Sequence, residues 1–276
     1  MLKLYALTPE LHEISLPGMS SLDAVSRQLP DGLYSTFRTY AGRERVLDLE
    51  HHLRRLYDPL AALGVEPGLS APELRAALRL LLKDFAPGEA RVRISLSMAG
   101  SPGQVFVMLE PLKLLDETVY QRGVRVVTSR AKRQSPRLKT TAFIGQSEQE
   151  RESILREGIF EGLMVRNGRL LEGLTSNFCA VKAGKILTAR QGILLGVTRR
   201  VVLRVARSNG FSLEYRPLRV EELPEIDEAF ITSSSRGVVP IVEIDRQPVG
   251  LGQVGSVARA LRLGYDAYVL KKAEKI

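Results

Sequence analysis

Two dipeptides constrain the topology of this chain more than any other feature. In GLMVRNGRLLEG (162–173), Asn167-Gly168 stands between apolar flanks. Asn-Gly is favoured in two-residue type I′ hairpin turns, whose central residues both take positive φ. The strand after that turn ends at Glu172. In TSNFCAVKAGKILTA (175–189), Ala183-Gly184 turns a second hairpin. The next segment, GILLGVTR (192–199), leads into the amphipathic helix GVTRRVVLRVARSNG, which Asn209-Gly210 closes. An acid at a strand end is therefore followed within one supersecondary unit by a glycine-led helix start.

A third piece, PRLKTT (136–141), places Lys139 after the basic loop RAKRQSPRL and among the apolar and hydroxyl neighbours LKTTAFI. Taken alone, Lys139 is one more cation of a basic loop, Glu172 a turn cap, and Gly196 a plain turn. Taken together, they meet three demands. An amine forms an imine with an aldehyde, and desolvation or a nearby cation favours its neutral, attacking form. A carboxylate can hold a pyridine nitrogen protonated. A helix N-terminus offers free N–H groups and a positive dipole end to a phosphate. One molecule makes all three demands, pyridoxal 5′-phosphate (PLP).

The order K…EG-x-x-SN-[FIL]…GI-L-x-G-[IV]-TR resembles the class IV, fold type IV, PLP enzymes: branched-chain aminotransferases, D-amino-acid aminotransferases and aminodeoxychorismate lyases. HHLRRL (51–56) is similar to the family's H-L-x-R-L helix start, and ITSSSRGVVPIVEID (231–245) to its late T-S-x-x segment followed by P-[VI]. Five pieces in register span most of the chain. The resemblance implies a two-domain α+β fold with the cofactor at the domain interface. It implies Lys139 as the catalytic Schiff-base residue and Glu172 on the pyridine nitrogen, with Leu194 against the ring. Arg55, the Val197 N–H, Thr198, Ser234 and Ser235 fall to the phosphate, and Thr175, Ser176 and Asn177 lie beside the cofactor. Without the resemblance, Arg55 reads as a solvated helix arginine, as Arg54 does.

The first half reads as α+β. Residues 3–8 alternate as a strand, and DGLYSTFRTYAGRERV (31–46) forms a hairpin turning at Ala41-Gly42. Leu33, Ser35 and Phe37 share one face of its first strand; Tyr34, Thr36 and Arg38 share the other. A helix is expected over 48–63 with Asp48 as N-cap and Pro59 bending or interrupting it, and a second over 71–85 with Pro72 in its first turn. Two strands, ARVRISLSM and QVFVMLEPL, complete a small domain over 1–114. The strand pattern stops at Pro111 and restarts at Val124, which makes 115–123 a linker and 124–276 a larger, cofactor-binding domain. There, helix 146–157, strands FSLEYRPL, AFITSSS and VPIVEI, and a closing helix QVGSVARALRLGYDAYVL are expected.

Composition narrows the function classes. With 44% hydrophobic residues in 276, the chain can bury a large core. The net charge of +9 comes from arginines spread along helices, and the chain has no Trp. No aromatic-interleaved basic stripe marks a nucleic-acid binder. The single Cys179 excludes an intrachain disulfide and suits a reducing cytoplasm. Charge comes too early for a signal peptide, and no apolar run approaches a membrane span. His51 and His52 lack a nearby third ligand for a metal.

These features give the expectation of a cytoplasmic PLP-dependent aminotransferase that moves an amino group between an amino acid and a 2-oxo acid. Tyr34, Arg38 and Arg93 are the candidate substrate residues, and a homodimer is carried over from the resemblance. Aminodeoxychorismate lyase is the alternative, and a non-catalytic PLP-binding protein a third reading. The family pattern is departed from in several places. Leu195 stands where relatives have Pro, and YSTFR stands where branched-chain enzymes have F-E-G-[IL]-R, closer to the lyases' F-T-T-x-R. RISLSMAG lacks the T-R-G arginine of D-amino-acid enzymes, and TTAFI lacks the asparagine and tyrosine of other relatives.

Overall fold

The computed structural model describes residues 1–15, 17–85 and 88–276. It divides into two units. The first comprises Met1–Lys113, Leu138–Gly145 and Lys272–Ile276; the second comprises Leu114–Arg137 and Gln146–Lys271.

In the first unit the chain runs β1 (Lys3–Ala6), β2 (His12–Ile14), α1 (Leu22–Ser26), β3 (Gly32–Tyr40), β4 (Arg45–Val46), α2 (Leu49–Ala62), α3 (Ala71–Lys83), β5 (Ala90–Ser97) and β6 (Val105–Pro111). The second unit holds α4 (Glu117–Arg122), β7 (Val124–Ser129), α6 (Glu148–Arg156), β8 (Glu161–Arg166), β9 (Arg169–Gly173), β10 (Asn177–Lys182), β11 (Lys185–Leu187), α7 (Val197–Ser208), β12 (Ser212–Glu214), β13 (Leu218–Arg219), β14 (Glu228–Ser233), β15 (Gly237–Ile244), β16 (Gln247–Pro248) and nearly all of α8 (Ser256–Lys272). A short α5 (Ala142–Gln146) follows Lys139, and β17 (Glu274–Lys275) ends the chain in the first unit.

The sheet of the first unit has the order β17-β4-β3-β5-β6-β1-β2. Both of its faces are covered, which is why QVFVMLEPL reads as a continuous apolar run. Val105, Val107 and Leu109 join the core made with α2 (Leu49, Leu53, Leu56, Leu60) and α3 (Leu74, Leu78, Leu81, Leu82). Phe106 and Met108 point the other way, into a cluster with Leu22 and Val25 of α1. Ser70 and Glu73 close a capping box at the start of α3, a device that contributes about 1 kcal/mol.

Pro59 does not interrupt α2, which continues to Ala62; so near the C-terminus, the missing N–H removes only one late hydrogen bond. Asp48 occupies the N-cap with a left-handed backbone, and its carboxylate faces His51 Nδ1 at 3.2 Å in place of a side-chain cap.

In the second unit, six strands in the order β10-β14-β15-β7-β8-β9 close on themselves, because β9 also pairs with β10. The Asn167 and Gly168 φ values of 50° and 67°, and 48° and 71° at Ala183 and Gly184, are those of the two expected turns. Residues 115–123, expected as a linker, carry α4 within this unit, and Leu138–Gly145 groups with the first unit, so Lys139 lies outside the second. FSLEYRPL forms strand only at 212–214 and 218–219, and the helix expected over 146–157 is α6 alone, with α5 before it.

Cys179 is fully buried in β10, and burial pushes its thiol up from the ordinary range. The native protein is therefore expected to give no reaction with a thiol reagent such as DTNB, and one equivalent per chain after denaturation. Full native reactivity would contradict the packing of β10.

Candidate active site

In the first unit, Lys139 is held by its backbone on the edge of β3. Its carbonyl accepts from the Tyr34 N–H at 2.8 Å, Thr140 bridges Leu33, and the Thr141 N–H donates to Gly32 O at 2.9 Å. The Thr141 hydroxyl accepts from Gly32 N at 2.9 Å and donates to Asp31 Oδ1 at 3.1 Å. Gly32 must be glycine, since a Cβ there would lie 2.0 Å from Leu96 O. The segment is thus a short added strand, with the amine fixed at a known register position. Lys139 Nζ sits 4.6 Å from the Tyr34 ring centroid, within cation–π range.

Arg93, expected to meet substrate, is also stacked on Tyr34, at 4.7 Å. It is 3% exposed, and most of its donors are engaged: Nε by Thr36 Oγ1, Nη1 by Leu22 O and Ser26 Oγ, and Nη2 by Asp23 Oδ1 at 2.7 Å. In this arrangement its guanidinium is held by the fold, and it shares the Tyr34 ring with Lys139. Arg38 stacks on Tyr40 at 4.6 Å. Arg54 pairs with Glu50 at the surface, while Arg55 is half-buried and close enough to His52 to act on it electrostatically.

His52 is 2% exposed, its Nδ1 lies 2.8 Å from the Ser35 hydroxyl, and its ring lies 5.0 Å from that of Phe37. Burial first, then the positive charges of Arg55, Lys139 and His51, hold it well below the ordinary imidazole range.

In the second unit, the type I′ hairpin brings Glu172 to the end of β9, 2% exposed. Its Oε2 accepts from the Leu194 N–H at 3.1 Å and the Asn177 amide at 3.1 Å, and its Oε1 from Arg133 Nε at 3.3 Å. A buried ion pair stands only if the remaining lone pairs are also satisfied, and Leu194 and Asn177 satisfy them. The Asn177 amide also donates to Leu194 O at 2.7 Å, tying the loop before α7 to the sheet. Gly196 caps that helix with no room for a side chain: a Cβ would lie 1.9 Å from Asn177 Oδ1.

Glu172 faces Asn177 across β9 and β10, and Asn177 faces Thr232 across β10 and β14. Directly opposed residues share a sheet face, so the three form one row. Thr232 is 2% exposed, and its hydroxyl has no hydrogen-bond partner among the described residues.

Val197 and Thr198 form the first turn of α7, both buried, and the Thr198 hydroxyl meets Ser234 Oγ at 3.3 Å. Two segments expected to serve one anion are therefore side by side. Ser235 lies in the same turn, half-buried. Thr175 and Ser176 donate their hydroxyl protons to Glu161 at 2.6 and 3.1 Å, which leaves neither proton for a phosphate.

Sequence reasoning missed Arg133, Glu161 and Arg236, and weighed His52 only as a metal ligand. The available signal was an acid, Glu161, inside the apolar strand IFEGLMV.

The model of Amino-transferase class IV matches residues 32–244. The chain is 28% identical to the D-alanine aminotransferase of Bacillus licheniformis, over 90% of this chain and 91% of that protein. It is 32% identical to the aminodeoxychorismate lyase of Bacillus subtilis, over 85% and 84%. Its fold matches the PLP-bound form of a hypothetical aminotransferase from Mycobacterium tuberculosis at a TM-score of 0.79 and 22% identity, over 98% and 99% of the two chains.

Two substitutions test this geometry. Gly196→Ala is expected to weaken the Asn177 contacts and lower the thermal unfolding temperature by several degrees, roughly the effect of 1–3 kcal/mol; an unchanged melting curve would count against the close approach. Because His52 has a depressed folded value, its neutral burial stabilises above the unfolded imidazole pKa of about 6.5 and is lost as pH falls below it. Urea midpoints should drop from pH 7 to pH 5, and His52→Gln should flatten that slope; an equal slope in the variant would contradict the assignment.

Proposed function

Since the chain belongs to the class IV aminotransferase family, we propose that it is a PLP-dependent aminotransferase acting between an amino acid and a 2-oxo acid. The observation that supports this best is the buried Glu172 carboxylate, fixed by Leu194 N–H and Asn177 directly before the N-terminus of α7.

The residues present fit such a cofactor. The unpartnered Thr232 hydroxyl, in the same cross-strand row as Glu172, is a buried polar atom that the described protein groups leave unsatisfied. The Thr198–Ser234 pair beside the start of α7 offers hydroxyl and N–H donors to a phosphate. In this reading Lys139 holds the aldehyde carbon, Glu172 the ring nitrogen, and Leu194 lies against the ring. Val197 N–H, Thr198, Ser234, Ser235 and Arg55 hold the phosphate, and Asn177 orients Glu172. When bound, PLP supplies a conjugated ring that accepts the electrons released at the substrate's Cα.

Lys139 Nζ is then the group that takes and returns the Cα proton. The Tyr34 ring face stabilises the ammonium form it passes through, at about 0.5–2 kcal/mol, while the β3 register keeps its backbone still. In this reading Thr175 and Ser176 lie beside the cofactor and hold Glu161. A homodimer in the cytoplasm accompanies the proposal, on the family resemblance and the lone, buried cysteine.

Aminodeoxychorismate lyase stays as a second reading, favoured by the Ser35-Thr36 pair and by the 32% identity to such an enzyme. The two readings separate on product. With PLP bound, amino donors alone should bleach the visible absorbance of an aminotransferase, and a 2-oxo acid should restore it. Release of pyruvate from aminodeoxychorismate would favour the lyase. Borohydride should fix the cofactor to one peptide containing Lys139, and Lys139→Ala should lose that label and all turnover while keeping its melting temperature. A labelled Lys139→Ala protein would remove Lys139 from its role.

A further inference from the structure

We infer that Glu161 and Arg236 form a positioning pair that sets the phosphate-binding turn, an inference that rests on the PLP reading above. Neither residue belongs to any of the matching sequence pieces as a functional position, and they lie 75 positions apart. The structure brings them together between two turns. One turn, between β9 and β10, separates Glu172 from Asn177. The other, between β14 and β15, contains Ser234 and Ser235.

Glu161 is a carboxylate 4% exposed, and a charge so placed requires donors. It receives the Thr175 and Ser176 hydroxyls from the first turn and Arg236 Nη2, at 3.3 Å, from the second. Arg236 completes the staple: Nη2 also donates to Thr175 Oγ1 at 2.7 Å, and Nε to Ser233 Oγ at 3.0 Å. Its backbone is held as well, with its N–H on Ser233 O at 3.3 Å and its carbonyl accepting from the Tyr120 hydroxyl at 2.9 Å. The guanidinium packs over the Phe160 ring at 5.2 Å. Gly173 leaves no freedom on the other side, since a Cβ there would lie 2.2 Å from Ser176 Oγ and 3.1 Å from Glu161 Cγ.

Arg236 thus fixes both ends of the four-residue turn Ser233–Arg236, whose middle residues include the Ser234 that meets Thr198. A fork of donors locks such geometry in a way a single ammonium does not. Arg236 is accordingly a positioning residue: it acts on the anion-binding hydroxyls through the turn, with Glu161 as its anchor.

The test compares PLP with pyridoxal, which lacks the phosphate, by titrating cofactor-free protein and following visible absorbance. Arg236→Met should weaken PLP binding about tenfold or more, the loss expected for charge-assisted hydrogen bonds, and leave pyridoxal binding within about twofold of wild type. Arg236→Lys, which keeps the charge but not the fork, should resemble Arg236→Met, and Glu161→Gln should shift PLP binding in the same direction. Equal weakening of both ligands, full affinity in Arg236→Lys, or no change in Arg236→Met would overturn the pair. Should wild-type protein take up neither ligand, the cofactor reading itself falls, and this inference with it.

Discussion

A buried carboxylate dictates much of the second unit. Glu172 is almost completely removed from water, and an isolated charge there would cost many kcal/mol. Its oxygens are met by a backbone N–H, a side-chain amide and a guanidinium. Each donor comes from a different stretch of chain, so satisfying one acid fixes three segments: the loop after β7, the start of β10 and the approach to α7. Hydrogen bonds to a charged group contribute about 1.5–3 kcal/mol each, enough to specify the loop before α7 despite its lack of regular structure.

From that constraint the helix start follows. Asn177 bonds both Glu172 and the Leu194 carbonyl, which leaves Gly196 pressed against Asn177 and starts α7 at Val197. Thr198 then reaches Ser234 on a turn that Arg236 and Glu161 hold from beneath. In the first unit a different device does comparable work. Lys139 joins the edge of β3 through backbone hydrogen bonds, and its amine rests on Tyr34, whose ring is braced by the locked guanidinium of Arg93. Each unit thus presents chemistry on a backbone that its own hydrogen bonds define. The α+β fold, shared with class IV aminotransferases, supplies that rigidity.

Much of this was legible in the sequence wherever the signal is local. Asn167-Gly168 announced its hairpin through the positive φ that Asn and Gly tolerate, Ala183-Gly184 through its glycine, and helices were expected over 48–63 and 71–85, where α2 and α3 lie. The strand end at Glu172 and the helix tip at Val197 are readable over a few residues, whereas Lys139, alone one more cation of a basic loop, is singled out by its neighbours and the family resemblance. What stayed hidden depends on distant partners. Arg133 meets Glu172 across 39 positions and Arg236 meets Glu161 across 75, and no window reveals which of 40 cations finds a buried acid. The groups that bond Arg93 were equally out of view, since Asp23 and Ser26 lie on a helix 70 and 67 positions away. Pro59 does not interrupt α2 for the opposite reason. The local rule holds for a helix interior, and the end of the helix was not known in advance.

The state of the cofactor's ring nitrogen tests the role of Glu172 most directly. PLP labelled with 15N at that nitrogen, bound to wild-type protein and to Glu172→Gln and observed by NMR, reports whether it carries a proton. A protonated ring in wild type across neutral pH and an unprotonated one in the variant are expected, because in the proposed reading the carboxylate stabilises the pyridinium charge. The same chemical shift in both proteins would contradict the role given to Glu172.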